Sequence, residues 1–122
     1  MDYKIELAPI PVTDVERARD FYVEKVGFVL DHDVVVSDEM HYVQLTPPGS
    51  ACSICLGVGV TAMKPGSQRG LQMVVASADD AYDELRARGL ELEPPVTLAW
   101  GRFVYFSDPD GNEWAIQELP AR

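Results

Sequence analysis

The sequence predicts an α+β fold, in which two tandem βαβββ modules form a curled mixed sheet around a cleft with the helices on the outside. Two observations predict it: the same order of elements occurs twice, and a segment rich in glycine and small residues separates the copies. We place the whole of residues 1–122 in a single domain, with the first module at about 1–58, the linker at about 59–69 and the second module at about 70–120.

The first module opens with YKIELAPIPV (residues 3–12), an extended and alternating segment interrupted by prolines. Thr13 or Asp14 then begins a helix that ends at Gly27, and Glu16, three residues after Thr13, suits a capping box. Three strands follow the helix, separated by the turn sequences SDE and PPGS: FVLDHDVVV, MHYVQLT and ACSICLG.

The second module repeats that order. GLQMVVA is the first strand, and SADDAYDELRARG is a helix that Ser77 caps and Gly89 ends. The turn DPDGN joins the last two strands, because Asp108 can accept a hydrogen bond from the chain, Pro109 presets φ and Gly111 closes the turn. Three strands follow the helix: LELEPPVTL, GRFVYFS and NEWAIQEL.

Composition narrows the range of partners. The chain carries 20 acidic and 10 basic residues, a net charge of −10, which repels nucleic acid and anionic lipid and attracts a cationic ligand. Solubility alone is the simpler explanation of this charge. No apolar run approaches the roughly 20 residues of a membrane span, and no leader sequence opens the chain. We therefore predict a cytoplasmic protein with neither a nucleic-acid nor a membrane partner.

The cysteines and histidines do not form an obvious centre. Cys52 and Cys55 have C-x-x-C spacing within an apolar strand-like run and lack a second ligand pair nearby, which favours core or strand cysteines over a redox or zinc site. If the hairpin turn centres on Asp38, Val36 pairs with Met40, Val35 with His41 and His32 with Gln44. The two histidines then lie on opposite faces, each on the surface or rim or serving as a lone acid or base.

The order of elements, together with VTDVERARDFYVEKVGF and FSDPDGNEWAIQEL, resembles the vicinal oxygen chelate superfamily of glyoxalases, bleomycin-resistance proteins and extradiol dioxygenases. The resemblance covers nearly the whole chain and implies one His, Glu or Gln metal ligand on each of four strands. The corresponding positions are Leu7, Ala115 and either Gly70 or Gln72, while the fourth falls in SACSICLG, which has no such residue. Unless Glu6 or Glu113 is recruited, the resemblance therefore implies a member without the usual metal ligands, and we expect no cofactor.

The strand NEWAIQEL shows which side chains would face the cleft. Trp114 lies on the opposite face from Ala115 and is expected to pack in the core against a helix. Tyr105 and Trp100 stack a planar ligand or belong to the core. We predict ligand contacts from the following residues: Leu7, Pro9, Tyr42, Gln72, Trp100, Tyr105, Glu113, Ala115 and Gln117.

We predict a metal-independent small-molecule-binding protein of the glyoxalase/bleomycin-resistance type, which holds a cationic or aromatic organic ligand in the sheet cleft. The resemblance also implies a homodimer, and whether the cleft forms within one chain or across two stays open. The alternative is a glyoxalase-like lyase, isomerase or dioxygenase-type enzyme with an atypical or metal-free site and Glu113 as candidate general base. A third possibility is an interaction domain whose own side chains fill the cleft.

Overall fold

The computed structural model describes residues 1–121 and confirms the two-module α+β fold. The first module contains β1 (Leu7–Pro9), α1 (Val15–Asp20) continued by a π-helical segment (Phe21–Val26), β2 (Val29–Ser37), β3 (Met40–Thr46) and β4 (Ser53–Val58). The second module contains β5 (Leu71–Val75), α2 (Ala78–Ala87), β6 (Val96–Leu98), β7 (Gly101–Ser107) and β8 (Glu113–Glu118).

Each module forms its own four-stranded mixed sheet. The strand orders are β1-β4-β3-β2 and β5-β8-β7-β6, so that the same topology occurs twice. The β1–β4 and β5–β8 pairs are parallel and the other pairs are antiparallel. Strands β1 and β5 are therefore edge strands, each paired on one side only within the described residues.

The first helix begins at one of its two predicted caps, but without the predicted capping box. Asp14 is the N-cap, and its carboxylate accepts a hydrogen bond from the backbone N–H of Arg17 at 3.0 Å. The capping box between Thr13 and Glu16 does not form, because the Thr13 hydroxyl donates instead to Asp110 Oδ1 at 2.6 Å. The hydroxyl of Thr13 thus bonds to a residue 97 positions away in the sequence instead of capping its own helix.

The ends of the two helical segments are capped reciprocally. Gly27 and Gly89 both adopt left-handed conformations, with φ of 89° and 95°. A Cβ at Gly27 would lie 2.9 Å from Arg88 Cζ, and one at Gly89 would lie 2.8 Å from Lys25 Nζ. Arg88 also donates a 3.4 Å hydrogen bond to the carbonyl oxygen of Glu24. A cation from each module therefore lies at the negative end of the other module's helix, where the helix dipole favours it.

The modules share one hydrophobic core. Tyr22 lies in the π-helical segment and Phe28 just after it, and the rings of both meet that of Trp114 on the second sheet. The Phe28 and Trp114 centroids lie 5.7 Å apart at 75°, whereas Phe106 and Trp114 stack at 5.8 Å and 5°. Trp114 is only 5% exposed, which confirms its predicted place in the core. The helix-bearing faces of both sheets therefore bury the same interior.

The DPDGN turn forms as predicted and also ties the modules together. Asp108 Oδ1 accepts hydrogen bonds from the backbone N–H groups of Asp110 at 3.0 Å and Asn112 at 2.9 Å. The Asn112 side chain donates to the Pro11 carbonyl oxygen at 2.8 Å and accepts from the Gln68 N–H at 3.0 Å. A turn of the second module thus holds both the segment before α1 and the linker in place. The hydrogen bonds of Asp108 and Asn112 therefore give these two residues a structural role.

Two predicted strands are shorter than expected, and prolines limit each of them at one end. Only Leu7–Pro9 of residues 3–12 pairs, and Pro11 has no N–H to extend the ladder. Only Val96–Leu98 of residues 90–98 pairs, directly after Pro94 and Pro95. Within the described residues, no helix is long and apolar enough to cross a membrane.

The β2–β3 hairpin keeps the predicted register over most of its length. Val35 pairs with His41 and His32 with Gln44, which places the histidines on opposite faces. Near the turn, Ser37 pairs with Met40 where Val36 was expected, because an irregularity between positions 35 and 37 adds a residue to β2.

Candidate functional site on the outer faces of the two sheets

The side of each sheet that faces away from its helix carries the candidate residues. On β8, Trp114 and Ile116 are 5% and 3% exposed and face the core. Glu113, Ala115 and Gln117 alternate with them and therefore point the other way. We call this second side the outer face of the sheet.

A row of side chains crosses the outer face of the second sheet. Gln72 on β5 pairs with Ala115 on β8, which pairs in turn with Tyr105 on β7. Gln72 Nε2 donates to Gln117 Oε1 at 2.6 Å, and Gln117 Nε2 donates to the Trp100 carbonyl oxygen at 2.7 Å. These bonds orient two amides beside the small Ala115 side chain and leave acceptor and donor positions for a ligand's polar groups.

Aromatic rings border that row. Tyr105 lies parallel to Phe103, with 5.9 Å between ring centroids and 4° between ring planes. Phe103 is 3% exposed, whereas Tyr105 is 51% and Trp100 is 62% exposed. The sequence pattern did not decide whether Tyr105 and Trp100 contact a ligand or belong to the core. The structure exposes both side chains at the surface. The sequence did not distinguish Phe103 as a candidate, because an apolar residue in a strand is expected to belong to the core.

Glu113 lies at the start of β8 on the same face. Its carboxylate is 3.5 Å from Arg69 Nε, and the two side chains are 57% and 55% exposed. An ion pair this exposed is solvated and adds little to stability. The carboxylate is thus accessible from solvent at the rim of the amide row.

The outer face of the first sheet holds the remaining candidates. In the β1–β4 register, Leu7 pairs with Ser53 and Pro9 with Cys55. On β3, the Tyr42 hydroxyl donates to Gln44 Oε1 at 2.9 Å. Burial raises the pKa of Tyr42, with smaller contributions from Cys55 and Glu6, so this phenol stays protonated and donating near neutral pH. Burial likewise raises the pKa of the Cys55 thiol, which therefore stays unreactive.

One chain does not bring the two outer faces together. Both helix-bearing faces cover the shared core, so the outer faces point away from it and from each other. Val34 on the first outer face is 48% exposed and Val74 on the second is 63% exposed. The candidates divide between the sheets as follows: Leu7, Pro9 and Tyr42 lie on the first, and Gln72, Trp100, Tyr105, Glu113, Ala115 and Gln117 lie on or beside the second.

The strand positions that would hold a metal offer only one donor of the usual type. Leu7 and its β4 neighbour Ser53 lie on one sheet, and Gln72 and Ala115 are neighbours on the other. Of these four side chains only the Gln72 amide is such a ligand, and one neutral amide does not supply the donor set that a catalytic divalent ion requires. Among residues 1–121, no three His, Cys, Asp or Glu side chains are grouped closely enough to hold a metal.

One polar cluster escaped the sequence analysis. Asp33 accepts hydrogen bonds from His41 at 2.7 Å and from Arg19 at 2.6 Å, and Arg19 also pairs with Asp20 at 3.0 Å. These bonds, from His41 first and Arg19 second, hold the pKa of Asp33 below its usual value. The cluster joins the first helix to its own sheet and lies on the helix side, apart from the outer face.

Comparison with known proteins agrees with this geometry. The sequence profile of the Glyoxalase/Bleomycin resistance protein/Dioxygenase superfamily matches residues 4–116. The chain belongs to this superfamily. The crystal structure of TnmS3, an antibiotic binding protein from Streptomyces sp. CB03234, is similar to it with a TM-score of 0.86 and 36% identity, covering 98% of each chain.

Two further similar proteins cover comparable lengths. The crystal structure of a glyoxalase/bleomycin resistance protein from the same Streptomyces has a TM-score of 0.80 and 38% identity, covering 93% of this chain and 99% of that one. The uncharacterized protein YetH of Bacillus subtilis (strain 168) is 29% identical over 119 residues, which is 94% of this chain and 98% of YetH.

Proposed function

We propose that this superfamily member binds a planar aromatic small molecule on its outer faces and needs no metal to do so. The observation that supports this most directly is the exposure of two aromatic residues next to an oriented row of amides. Tyr105 pairs with Ala115 in that row, and the Trp100 carbonyl oxygen accepts from Gln117. Rings that a chain leaves in water at 51% and 62% exposure gain by covering a flat apolar surface. The neighbouring amides would then bind carbonyl, hydroxyl or amino groups at the ligand's edge.

A second copy of the chain would supply the opposite wall. The two outer faces of one chain point apart, so neither can close over a ligand that lies on the other. In a two-fold dimer, the first sheet of one chain could face the second sheet of its partner, and each cleft would combine Leu7, Pro9 and Tyr42 with the amide row. The homodimer is thus part of the proposed binding site.

Charge and the named relatives support the choice of ligand. The net charge of −10 favours a cationic guest by long-range attraction. TnmS3, which is 36% identical, is described as an antibiotic binding protein. Both cysteines are free, which fits a reducing compartment such as the cytoplasm.

The test uses proflavine, a planar cation whose fluorescence reports binding. Wild-type protein should bind it saturably, and Tyr105→Ala or Trp100→Ala should weaken binding by about 10-fold each. Tyr82→Ala is the matched control, because that ring lies on α2 against Arg86. Weak, non-saturable binding, or equal loss in all three variants, would contradict the proposal.

A second experiment tests metal independence. Elemental analysis of untagged protein before and after soaking in Zn²⁺, Ni²⁺, Mn²⁺ and Fe²⁺ should give far less than one ion per chain. Proflavine affinity should be the same after dialysis against a chelator. A stoichiometric ion that changes the affinity would reopen the alternative of a metalloenzyme, with Glu6, Gln72 and Glu113 as ligands to re-examine. Glu113→Gln should leave binding intact, and a loss of turnover in that variant would favour catalysis.

A further inference from the structure

The two amides on the second outer face form a chain of hydrogen bonds that has a direction. Gln72 pairs with Ala115 across β5 and β8, and Gln117 lies two residues further along β8 on the same face. Long side chains in this diagonal relation reach each other, and Gln72 Nε2 lies 2.6 Å from Gln117 Oε1. Gln117 Nε2 lies 2.7 Å from the Trp100 carbonyl oxygen. The chain of bonds therefore ends on the backbone between β6 and β7.

The Trp100 carbonyl oxygen fixes that direction. A carbonyl oxygen only accepts hydrogen bonds, so it must meet the nitrogen of the Gln117 amide. The Gln117 oxygen then faces Gln72, and it must meet the nitrogen of that amide. Turning over Gln72 alone would bring two acceptor oxygens into contact between the amides, and turning over Gln117 would do so at the Trp100 carbonyl. Only one orientation of each amide therefore satisfies both contacts.

Gly101 leaves room for the contact with Trp100. Its φ of 148° is one that residues with a side chain rarely adopt. A Cβ at this position would lie 3.1 Å from Gln117 Nε2 and 2.5 Å from the Glu118 carbonyl oxygen. Glycine directly after Trp100 thus allows the Gln117 side chain to lie against the backbone that orients it.

The other end of the chain, at Gln72, is open to a ligand. Gln72 Nε2 uses one of its two N–H groups for Gln117, and Gln72 Oε1 accepts no hydrogen bond from the residues that the structure describes. The amide therefore presents an acceptor beside a donor in a fixed order. Gln72 and Tyr105 lie on either side of Ala115, two strand spacings or about 10 Å apart. A ligand of three fused rings that stacks on Tyr105 brings its edge to Gln72.

We propose that Gln117 is a positioning residue and that it gives the site a preference for one class of planar ligand. Gln117 transmits the direction set by the Trp100 carbonyl to Gln72, so the preferred ligand has a hydrogen-bond donor directly beside an acceptor on one edge. Lactams, imides and carboxamides have such an edge. Their N–H donates to Gln72 Oε1, and their carbonyl oxygen accepts from the remaining Gln72 N–H. The inference rests on the proposed function, because it names the ligand class of the same site.

Three tricyclic probes that are uncharged at neutral pH test this preference without a contribution from net charge. Phenanthridinone has its N–H and C=O side by side, acridone has them on opposite edges, and phenanthridine has only an acceptor nitrogen. Titrations are followed by probe fluorescence. The wild-type protein should bind phenanthridinone about 5- to 10-fold more tightly than either of the other two, which is the effect of one additional hydrogen bond.

Gln117→Lys tests whether this position sets the preference. An ammonium group only donates, so it would still meet the Trp100 carbonyl oxygen but would draw the Gln72 oxygen toward itself. Gln72 would then offer its two N–H groups to the ligand, and phenanthridine should bind at least as tightly as phenanthridinone. Gln117→Met, which has a similar length and no donor, should give a preference between those of the wild type and Gln117→Lys. A purely structural effect would lower all three affinities together and leave their ratios unchanged.

The outcomes separate this inference from the proposed function. Saturable proflavine binding combined with equal affinities for the three neutral probes, or with no binding of any of them, would overturn the inference alone. A preference for phenanthridinone that survives Gln117→Lys unchanged would also overturn it, because the direction of the amides would then not depend on Gln117. Weak and non-saturable binding of proflavine itself would reject the proposed function, and the inference with it.

Discussion

Trp114 donates its indole N–H to the hydroxyl oxygen of Tyr22 at 2.9 Å, which links the last strand of the second module to the helical segment of the first. The Tyr22 hydroxyl passes the connection on by donating to Asp108 Oδ2 at 2.8 Å. Burial, with the Asp108 carboxylate as the next cause, raises the pKa of Tyr22, so the phenol stays protonated and donates near neutral pH.

Tyr22→Phe should lower the free energy of unfolding by about 1–3 kcal/mol, because it leaves the Trp114 N–H buried without an acceptor. Urea denaturation followed by tryptophan fluorescence measures the change. Tyr82→Phe is the control, since the Tyr82 ring is only partly buried and lies beside Arg86 on α2. Equal effects of the two substitutions would show that the buried hydroxyl contributes nothing specific.

Gly66→Ala should be more destabilising than Gly49→Ala, although both glycines have nearly the same backbone conformation, with φ of 78° and 79°. A Cβ at Gly66 would lie 2.2 Å from the Asp110 carbonyl oxygen, whereas one at Gly49 has no atom within 4 Å. Both substitutions place alanine at a positive φ and therefore share that conformational cost. The steric clash at Gly66 should lower the free energy of unfolding by about a further 2 kcal/mol. Similar melting temperatures for the two variants would mean that the linker can move away from the turn.

Asp33→Asn should destabilise the protein near neutral pH by about 1 kcal/mol, by analogy with partly exposed ion pairs. The folded pKa of Asp33 is lowered, so its contribution is complete above the unfolded pKa of about 3.9 and disappears as the pH falls through the folded pKa. Unfolding free energies measured from pH 7 to pH 2.5 should therefore converge for the two proteins at the acid end. Asp38→Asn, which removes a carboxylate from the hairpin turn, is the control, and identical stability profiles for the two variants would contradict the prediction.

Ala115→Leu should block ligand binding without unfolding the protein. Ala115 lies between Gln72 and Tyr105 on the second outer face, where a larger side chain would occupy the ligand's place. Proflavine affinity should fall by about 10-fold or more, since displacement of the planar ring costs its stacking contact. Val36→Leu enlarges an exposed residue elsewhere and should bind normally. Undiminished affinity in Ala115→Leu would place the ligand away from the amide row.

Ligand charge should affect affinity in a salt-dependent way. Proflavine and acridine-9-carboxylate share a planar ring system but differ in charge, and the net charge of −10 favours the cation. Titrations at low salt should show tighter binding of proflavine, and the difference should shrink as salt is raised to about 1 M, where the screening length is about 3 Å. If the ratio of the two affinities does not change with salt, direct contacts rather than net charge determine the selectivity.

Strand positions were largely predictable because turn residues bound them. Met40–Thr46 and Gly101–Ser107 occur at the predicted residues, each limited by recognisable turns. The DPDGN turn was also predictable, because its hydrogen bonds are local and depend on residue types in fixed order.

The arrangement of the two modules was not predictable from patterning. The alternation of side chains shows that Trp114 and Ala115 lie on opposite faces of β8. Both faces carry side chains that another part of the protein could pack against. It does not say whether the covering surface comes from the same chain. The bond from Thr13 to Asp110 spans 97 residues and replaces a local cap that the sequence favoured equally well. The cavity that residues 47–50 line together with β5 could not be predicted, because it depends on how the first module's β3–β4 turn meets the second module.

The long-range bonds of the DPDGN turn also have a consequence for synthesis on the ribosome. Tyr22 and Pro11 emerge 86 and 101 residues before their partners Asp108 and Asn112. The groups in the nascent first module therefore stay without these partners until the DPDGN turn has been synthesised. A chain that stops before Asp108 lacks these bonds, and its incompletely covered core makes it a substrate for cellular proteases. In this sense β8 and the turn before it report that the second module has been made.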